Sequence, residues 1–358
     1  MPGLKELCGA AMQRVMIPAL PFTTETLDHF LAVPTEGVLE SLRRLPGDVL
    51  VAGAGGKMGG TLCLMLAAAA RALGDGRRVF AVSRFSSAAS RSLLEAGGVQ
   101  TLSCDLIDRT AVEALPDVPL VVFMAGQKFG TSEQPELTWA MNAVVPANVA
   151  ERFRSARIAA FSTGCVYSLT TVESGGSREN APTAPPGEYA HSCLGREGVF
   201  RFYSKRYGTP VSLVRLNYSV EPRYGVLVDI ATRILAGQPV DLTMGHVNLI
   251  WQRDACAHAI QALELADSPA VPVNVTGAEM LSVRSLAEEL GRRLGKAPAF
   301  SGKEGAPSWL NDARWSHGKF GPPPTPLSDM LDWTAAWLQQ GGRLLGKPTH
   351  FEASDGKF

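Results

Sequence analysis

DVLVAGAGGKMG, residues 48–59, sets the reading of the whole chain. Its first half is a short apolar run of strand length, with no charge after Asp48. Its second half carries glycines at 53, 56 and 59, with Lys57 and Met58 between the last two. KMGGTLCLMLAAAARALG (57–74) then reads as a helix that is apolar nearly all round, the mark of a buried helix. A glycine triplet is weak evidence alone and gains meaning between a strand and a helix. Gly53 permits the tight turn, Gly56 lets backbone approach a pyrophosphate, and Gly59 lets helix and sheet pack closely. The free N–H groups of the helix N-terminus then face the phosphates. The reading is a dinucleotide cradle, with a merely structural turn as the alternative.

Working outward, strands and helices alternate. RRVFAVSR (77–84), VQTLSCD (99–105), PLVVFMAG (119–126), RIAAFSTG (157–164) and PVSLVRLN (210–217) read as further strands. SSAASRSLLEAG (86–97), a long stretch from about Pro135 to Phe153, and one from about Tyr189 to Lys205 read as helices between them. Short apolar strands alternating with helices predict an α/β fold, a Rossmann-type doubly wound parallel sheet covered on both faces. The domain expectation is an N-terminal extension over 1–47, a nucleotide-binding domain over 48–215, and a smaller C-terminal substrate lobe over 216–358 that returns some segments to the first domain. In the extension, TEGVLESLRRL (35–45) reads as a helix stopped by Pro46-Gly47. In the lobe, SVRSLAEELGRRLG (282–295) and LSDMLDWTAAWLQQ (327–340) read as helices, separated by the turn-rich GPPPTP (321–326).

Composition narrows the function. Lys plus Arg equals Asp plus Glu at 34 each, so no net field favours nucleic acid or an anionic membrane surface. The apolar run Leu62–Ala70 is too short to span a bilayer, and Val15–Leu20 is broken by Pro18 and Pro21. The six cysteines form no C-x-x-C pair and sit near no histidine cluster, so no metal is expected and a cytoplasmic, reduced protein is the simplest reading. At the end of the second strand, where an acidic residue favours NAD, the chain has Ser83-Arg84, with no carboxylate between Asp75 and Glu95. A guanidinium and a hydroxyl suit a 2′-phosphate, so NADP is favoured slightly over NAD.

Several stretches together resemble the extended short-chain dehydrogenase/reductase family, which includes nucleotide-sugar epimerases and dehydratases. GAGGKMG resembles its glycine motif, and Asp105-Leu106 in SCDLID its adenine contact. VVFMAGQKFG resembles the fourth-strand segment of its UDP-galactose 4-epimerases. The resemblance implies that Met124, Ala125, Gly126 and Lys128 line the cofactor and that Asn142 in WAMNAVVPANV follows in the next helix. FSTGCVYS resembles the strand bearing a catalytic hydroxyl, here Thr163. EYAHSCLGRE stands where the family has Tyr-x-x-x-Lys, which makes Tyr189 the catalytic phenol. VNLIWQRDACAHAI, Asp254 included, and VNVTGAEMLSVRSLAEEL resemble later family segments.

The departures matter as much. The residue four after Tyr189, on the same helical face, is Cys193 rather than lysine. In the family that lysine lowers the tyrosine pKa and holds the nicotinamide ribose; a neutral thiol does neither, and a thiolate would raise the pKa. Lys128 is the preferred replacement cation, ahead of Lys57 and Arg196. A phenol with weaker activation, or a non-catalytic cofactor binder, are the other readings. Family dehydratases follow their threonine with Asp-Glu, but here Gly164 and Cys165 follow Thr163, which sets 4,6-dehydration below epimerisation or simple oxidoreduction. A covalent role for Cys193 is the minor reading, a packed thiol the default.

Within RLNYSVEPRYG (215–225), Asn217 and Arg223 are the substrate-binding candidates, Arg223 as a fork for phosphate or carboxylate, with an ordinary surface arginine as the alternative. Tyr218 and Tyr224 lie beside them. Trp251, Gln252 and Arg253 are cleft candidates, with core the default for Trp251. His350 in the polar tail GKPTHFEASDGKF is read as surface. The expected activity is NAD(P)-dependent hydride transfer at a secondary alcohol or ketone of a sugar-like substrate, by an epimerase or oxidoreductase. The alternative is a catalytically impaired regulatory or scaffold protein that still binds the cofactor. The expected partner is a small sugar-like molecule, with no nucleic acid and no membrane; a homodimer is a family habit the sequence leaves open.

Overall fold

The computed structural model describes residues 22–128, 133–305 and 307–356. The first 21 residues of the expected extension, with the Val15–Leu20 stretch, lie outside them. The helices run, in chain order, α1 (Thr24–Leu31), α2 (Glu36–Arg44), α3 (Gly59–Leu73), α4 (Ala88–Ala96), α5 (Arg109–Glu113), α6 (Pro135–Trp139), α7 (Val145–Arg152), α8 (Gly187–Tyr207), α9 (Val226–Ala236), α10 (Gln252–Gln261), α11 (Val283–Leu294), α12 (Arg314–Phe320) and α13 (Leu327–Gln339). The main sheet has β1 (Val49–Ala52), β2 (Val79–Ser83), β3 (Gln100–Ser103), β4 (Leu120–Phe123), β5 (Arg157–Thr163), β6 (Val211–Leu216) and an edge strand Val271–Val275.

This seven-stranded sheet is parallel throughout, in the order Val271–Val275, β6, β5, β4, β1, β2, β3. It is the Rossmann-type α/β fold. All four residues of β1 are buried, and alternation divides them. Val49 and Val51 join a core with α2, α3 and α10, whereas Leu50 and Ala52 join a core with α5, α7 and α8. Both faces are therefore covered, which is why the central strands read as unbroken apolar runs rather than alternating ones. Chain order reverses between β1 and β4, so a crevice opens at the carboxyl ends of these strands. Pro272 is tolerated because its strand is at the edge.

A separate apolar cluster gathers α1, α9, α11 and α13 with Trp251. The rings of Trp251 and Trp333 lie 4.8 Å apart, and Phe30 meets Trp333 edge-on at 5.2 Å. Trp251 is thus core. The N-terminal helices divide: α1 belongs to this cluster, while α2 sends Val38 and Leu42 into the core under the sheet. Gln252 and Arg253 are committed too. Gln252 Nε2 donates to Thr61 Oγ1 at 3.0 Å and Arg253 Nε to the Val33 carbonyl at 2.9 Å. Among the described residues no helix is long and apolar enough to cross a membrane.

The long helix expected over 135–153 carries a π-turn, Ala140–Val144, between α6 and α7. Pro146 lacks an N–H, and the widened turn absorbs the missing bond. The turn also carries Asn142, fully buried, into the site described next. The short helices α1, α5 and α12 and the edge strand had no clear sequence signal.

Candidate functional site

The glycine turn leaves β1 with Gly53 at φ +94°, where a Cβ would run into the backbone of Ala125. A Cβ on Gly59 would strike Ala54, whereas Gly56 is exposed and meets nothing closer than 3.5 Å. The N-terminus of α3 has no side-chain cap. Its first N–H groups therefore face an open cradle that side chains would fill, and a nucleotide pyrophosphate fits there. Ser83 places its hydroxyl against Gly55. Arg84 is exposed at the end of β2 and has no hydrogen-bond or ion-pair partner among the described residues. Asp105 is exposed beyond β3, its carboxylate accepting from Ile107 N at 3.2 Å, and the carbonyl of buried Leu106 accepts from Asn148 at 3.0 Å. All these groups follow the carboxyl ends of β1 to β4.

Beside the turn lies a cavity of about 240 Å³. Of the expected site residues, its walls include Gly53, Gly56, Lys57, Met58, Gly59, Met124, Gly126, Lys128, Thr163, Tyr189 and Asn217. Ser83, Arg84, Asp105, Leu106, Ala125 and Asn142 are outside its wall, and Ala125 and Asn142 support it from behind. Thr163 ends β5, its hydroxyl accepting from Cys165 N at 3.2 Å. Asn142 ties the loop after β4 to α8: its Oδ1 accepts from Gln127 N at 3.0 Å and from Arg196, and its Nδ2 donates to Ser192 Oγ at 2.8 Å. Asn217 is turned by the Trp309 carbonyl, to which it donates at 2.9 Å.

On α8, Tyr189, Cys193 and Arg196 fall at i, i+4 and i+7, one face of the helix. The Tyr189 phenol hydrogen-bonds with the buried Cys193 thiol. Burial and the neighbouring thiols Cys193 and Cys165 hold that phenol well above the usual tyrosine range, and Arg196 is the main cation pulling the other way. Burial likewise raises both thiols. Lys128 lines the same cavity wall as Tyr189; its nitrogen lies 3.5 Å from the Thr349 carbonyl, and its charge draws the pKa of both thiols down against burial. Arg196 reaches in because Gly126 has no side chain: a Cβ there would collide with the guanidinium. Arg196 is 6% exposed, donates to the Phe161 carbonyl at 2.9 Å, and lies 5.8 Å from the Phe123 ring. His191 turns away and pairs with the Gly187 carbonyl at 2.8 Å.

Arg223 is corrected outright. It does not line the cavity but is held by Glu221 at 3.0 Å and Asp28 at 2.7 Å. A forked guanidinium already gripping two carboxylates is not free to grip a ligand. Its neighbours Tyr218 and Tyr224 do line the cavity. The C-terminal tail is no surface tail either. Thr349 lines the cavity while its N and Oγ1 donate to Asp229, Phe351 is 1% exposed, and Gly356 packs on Gly187 at the start of α8. Thr349 carried no motif, and only its distant partners, Asp229 on α9 and Lys128 after β4, mark it.

With this geometry in view, a family model described as the NAD dependent epimerase/dehydratase family matches residues 49–274. A search of curated proteins finds no match. Among solved structures, the chain is similar to the Thermus thermophilus UDP-glucose 4-epimerase in complex with NAD, at 21% identity and TM-score 0.67, covering 82% of this chain and 99% of that one. It is similar to the Bacillus anthracis dTDP-glucose 4,6-dehydratase in complex with NAD, at 16% identity and TM-score 0.69, covering 82% and 97%. It is also similar to a mutant UDP-glucuronic acid 4-epimerase from Bacillus cereus, bound to a fluorinated UDP-glucuronic acid and NAD, at 18% identity and TM-score 0.67, covering 82% and 99%.

Proposed function

The chain belongs to the NAD-dependent epimerase/dehydratase family, and on that premise we propose that it is an enzyme exchanging a hydride between a nicotinamide nucleotide and a secondary alcohol or ketone of a sugar-like substrate. The observation that carries this reading is that Thr163 and Tyr189 face one cavity with the glycine turn. Solved neighbours that hold NAD and nucleotide sugars support it.

Gly53, Gly56, Lys57, Met58 and Gly59 would hold the pyrophosphate, with Met124, Gly126 and Lys128 toward the nicotinamide. When bound, that group supplies the hydride acceptor and donor. Tyr189 takes the proton from the substrate hydroxyl, and Thr163 hydrogen-bonds the same oxygen. The Arg196 guanidinium, always charged, stabilises the phenolate and takes over the charge of the absent lysine. Release of the ketone gives net oxidation; its rotation before the reverse step gives epimerisation. Dehydration ranks lower, because a buried thiol at Cys165 with a raised pKa is no acid–base group at neutral pH.

The test is direct. Nucleotide released from denatured protein is identified by mass, and the near-ultraviolet absorbance of reduced nicotinamide is followed while sugars are added. Failure to bind any nicotinamide nucleotide overturns the reading. Cys193 against a phenol of raised pKa favours a second reading, a cofactor binder with impaired catalysis. Stoichiometric cofactor with no absorbance change for any sugar selects it.

The exposed, unpaired Arg84 beside Ser83 leads us to propose NADP as the preferred nucleotide. Arg84→Ala is expected to weaken NADP by about 10–100-fold, the value of a hydrogen bond to a charged group, and to leave NAD unchanged. Equal affinity of the unaltered protein for NAD and NADP in calorimetry refutes this.

A further inference from the structure

At the end of β6 the chain leaves the main sheet with a kink. Leu216 is the last residue of β6, and Ser219–Val220 already pairs with Ile250–Trp251 instead. Tyr218 makes the turn at φ +38°, in the left-handed region that suits glycine and strains an aromatic residue. Among the described residues, the other non-glycine positions in that region are Phe85 and His350, which adjoin Arg84 and Thr349 of the site. The kink is clamped on both sides. Asn217 Nδ2 donates to the Trp309 carbonyl at 2.9 Å, and the Asn217 carbonyl accepts from Thr276 Oγ1 at 3.2 Å. The Tyr218 carbonyl accepts from Ile250 N at 3.2 Å. Strained backbone of this kind survives where the surrounding structure fixes it, and it gathers where function uses it.

The kink delivers the Tyr218 and Ser219 side chains to the cavity wall. Both hydroxyls are buried, and neither has a hydrogen-bond partner among the described residues. A buried phenol as a rule finds one. Burial holds the Tyr218 phenol well above the usual tyrosine range, and the groups that bear on it, Cys165, Tyr224 and Glu352, all push the same way. It therefore stays a neutral group, able to donate and to accept. Cys165 bears on the Tyr189 phenol as well, and it stands two residues after Thr163. Both phenols thus border one region of the cavity. Tyr218 reaches it from the end of β6, whereas the cofactor is served by the glycine turn and the loop after β4.

We propose that Tyr218 and Ser219 form the specificity wall of the cavity: together they hydrogen-bond a hydroxyl of the substrate other than the one oxidised, and so select a polyhydroxylated substrate that is uncharged at that position. This rests on the hydride-transfer reading of the same cavity. A sugar hydroxyl donates and accepts, as do a phenol and a serine hydroxyl, so each orphaned group gains a partner when the substrate arrives. Tyr189 and Thr163 keep the reacting oxygen. A substrate without the recognised hydroxyl leaves two buried hydroxyls unpaired, and such a wall rejects close analogues more strongly than an apolar one does. The strain at Tyr218 persists for the same reason: glycine would relieve it but carries no phenol.

Stability separates recognition from a structural role, because deleting a hydroxyl that has no partner costs the fold nothing. Without ligand, Tyr218→Phe and Ser219→Ala are expected to unfold at the temperature of the parent or above it, with nucleotide affinity unchanged. The full chain, saturated with NADP or NAD, whichever it binds more tightly, is then titrated calorimetrically. The probes are glucose, galactose and their UDP-linked forms, each beside its monodeoxy analogues. One deoxy position is expected to weaken binding to the parent by about 10–100-fold. Each variant should bind the full sugar more weakly by a similar factor and no longer distinguish that deoxy form. The free and UDP-linked series tell a free sugar from a nucleotide-linked one. The proposal is overturned if the parent binds none of these sugars, or if no deoxy position matters more to the parent than to the variants. It is overturned too if Tyr218→Phe unfolds at a lower temperature, which makes its hydroxyl structural, or weakens the nucleotide, which assigns the phenol to the cofactor. Discrimination intact without hydride transfer sinks the hydride-transfer reading and leaves the wall standing. Hydride transfer with unchanged KM in both variants sinks the wall alone.

Discussion

Tyr189→Phe is expected to lower kcat by about 10²–10⁴-fold, the usual contribution of a positioned acid–base group, with nucleotide affinity unchanged. Phenylalanine fills the same space on α8 and loses the hydroxyl, with its contact to Cys193. The shape of the pH profile is as informative as the size of the loss. Oxidation needs the phenolate, and burial with two thiols holds the phenol well above its ordinary value. Below that pKa the phenolate fraction rises about tenfold per pH unit. The rate of alcohol oxidation should therefore climb steadily from neutrality upward without a plateau, whereas ketone reduction, which needs the protonated phenol, should be flat. Arg196→Met should displace the oxidation profile to still higher pH, and Lys128→Met should leave its position unchanged. If Tyr189→Phe turns over normally and Tyr218→Phe does not, the proton belongs to Tyr218, whose hydroxyl lacks a hydrogen-bond partner among the described residues and whose side chain also lines the cavity.

The sheet was legible because its strands declare themselves by physics that acts locally. Four buried residues in a row at β1 can only be a strand covered on both sides, and the glycine triplet fixes where the chain turns. Tyr189 and Thr163 were named from the resemblance of EYAHSCLGRE and FSTGCVYS to family segments, and both line the cavity beside the glycine turn. What the sequence hid depends on contacts between remote residues. Arg223 stands in a stretch that suggests ligand binding, but Asp28, 195 positions away, claims its guanidinium. Arg196 ranked behind Lys128 because only the position matching Lys128 is expected along the cofactor. Two turns of a straight helix leave Arg196 on the face of Tyr189, and Gly126, seventy residues earlier, leaves the space it needs. Thr349 becomes part of the wall only because Asp229 pins it there. No composition or spacing rule encodes such pairings, since they are settled by how remote segments of the chain pack on one another.

A buried ion pair beneath the site yields the largest expected loss of stability. Glu197 of α8 and Arg215 of β6 bond twice, at 2.8 and 2.7 Å, with side chains only 1% and 3% exposed. Ser162, next to Thr163, donates to the same carboxylate at 2.7 Å, and Arg215 also donates to the Tyr167 hydroxyl at 2.7 Å. Burial opposes the charge on Arg215, yet the hydrogen bonds and charge of Glu197 outweigh it and hold the guanidinium above its usual pKa. Glu197→Ala leaves that charge without its partner in a site closed to water. The expected cost is about 3–5 kcal/mol, a fall in Tm of roughly 6–15 °C by scanning calorimetry. The cause is the stranded charge rather than the lost bond energy, and a second variant separates the two. Glu197→Leu combined with Arg215→Met removes both charges and should recover most of the loss, because apolar groups of similar volume replace a buried pair at little cost. If Glu197→Ala alone is nearly neutral, water reaches Arg215 and the site is wetter than its burial indicates. If the double variant is as unstable as the single one, Ser162 and Tyr167 depend on the pair for their positions, and the floor beneath Thr163 is held by hydrogen-bond geometry more than by charge balance.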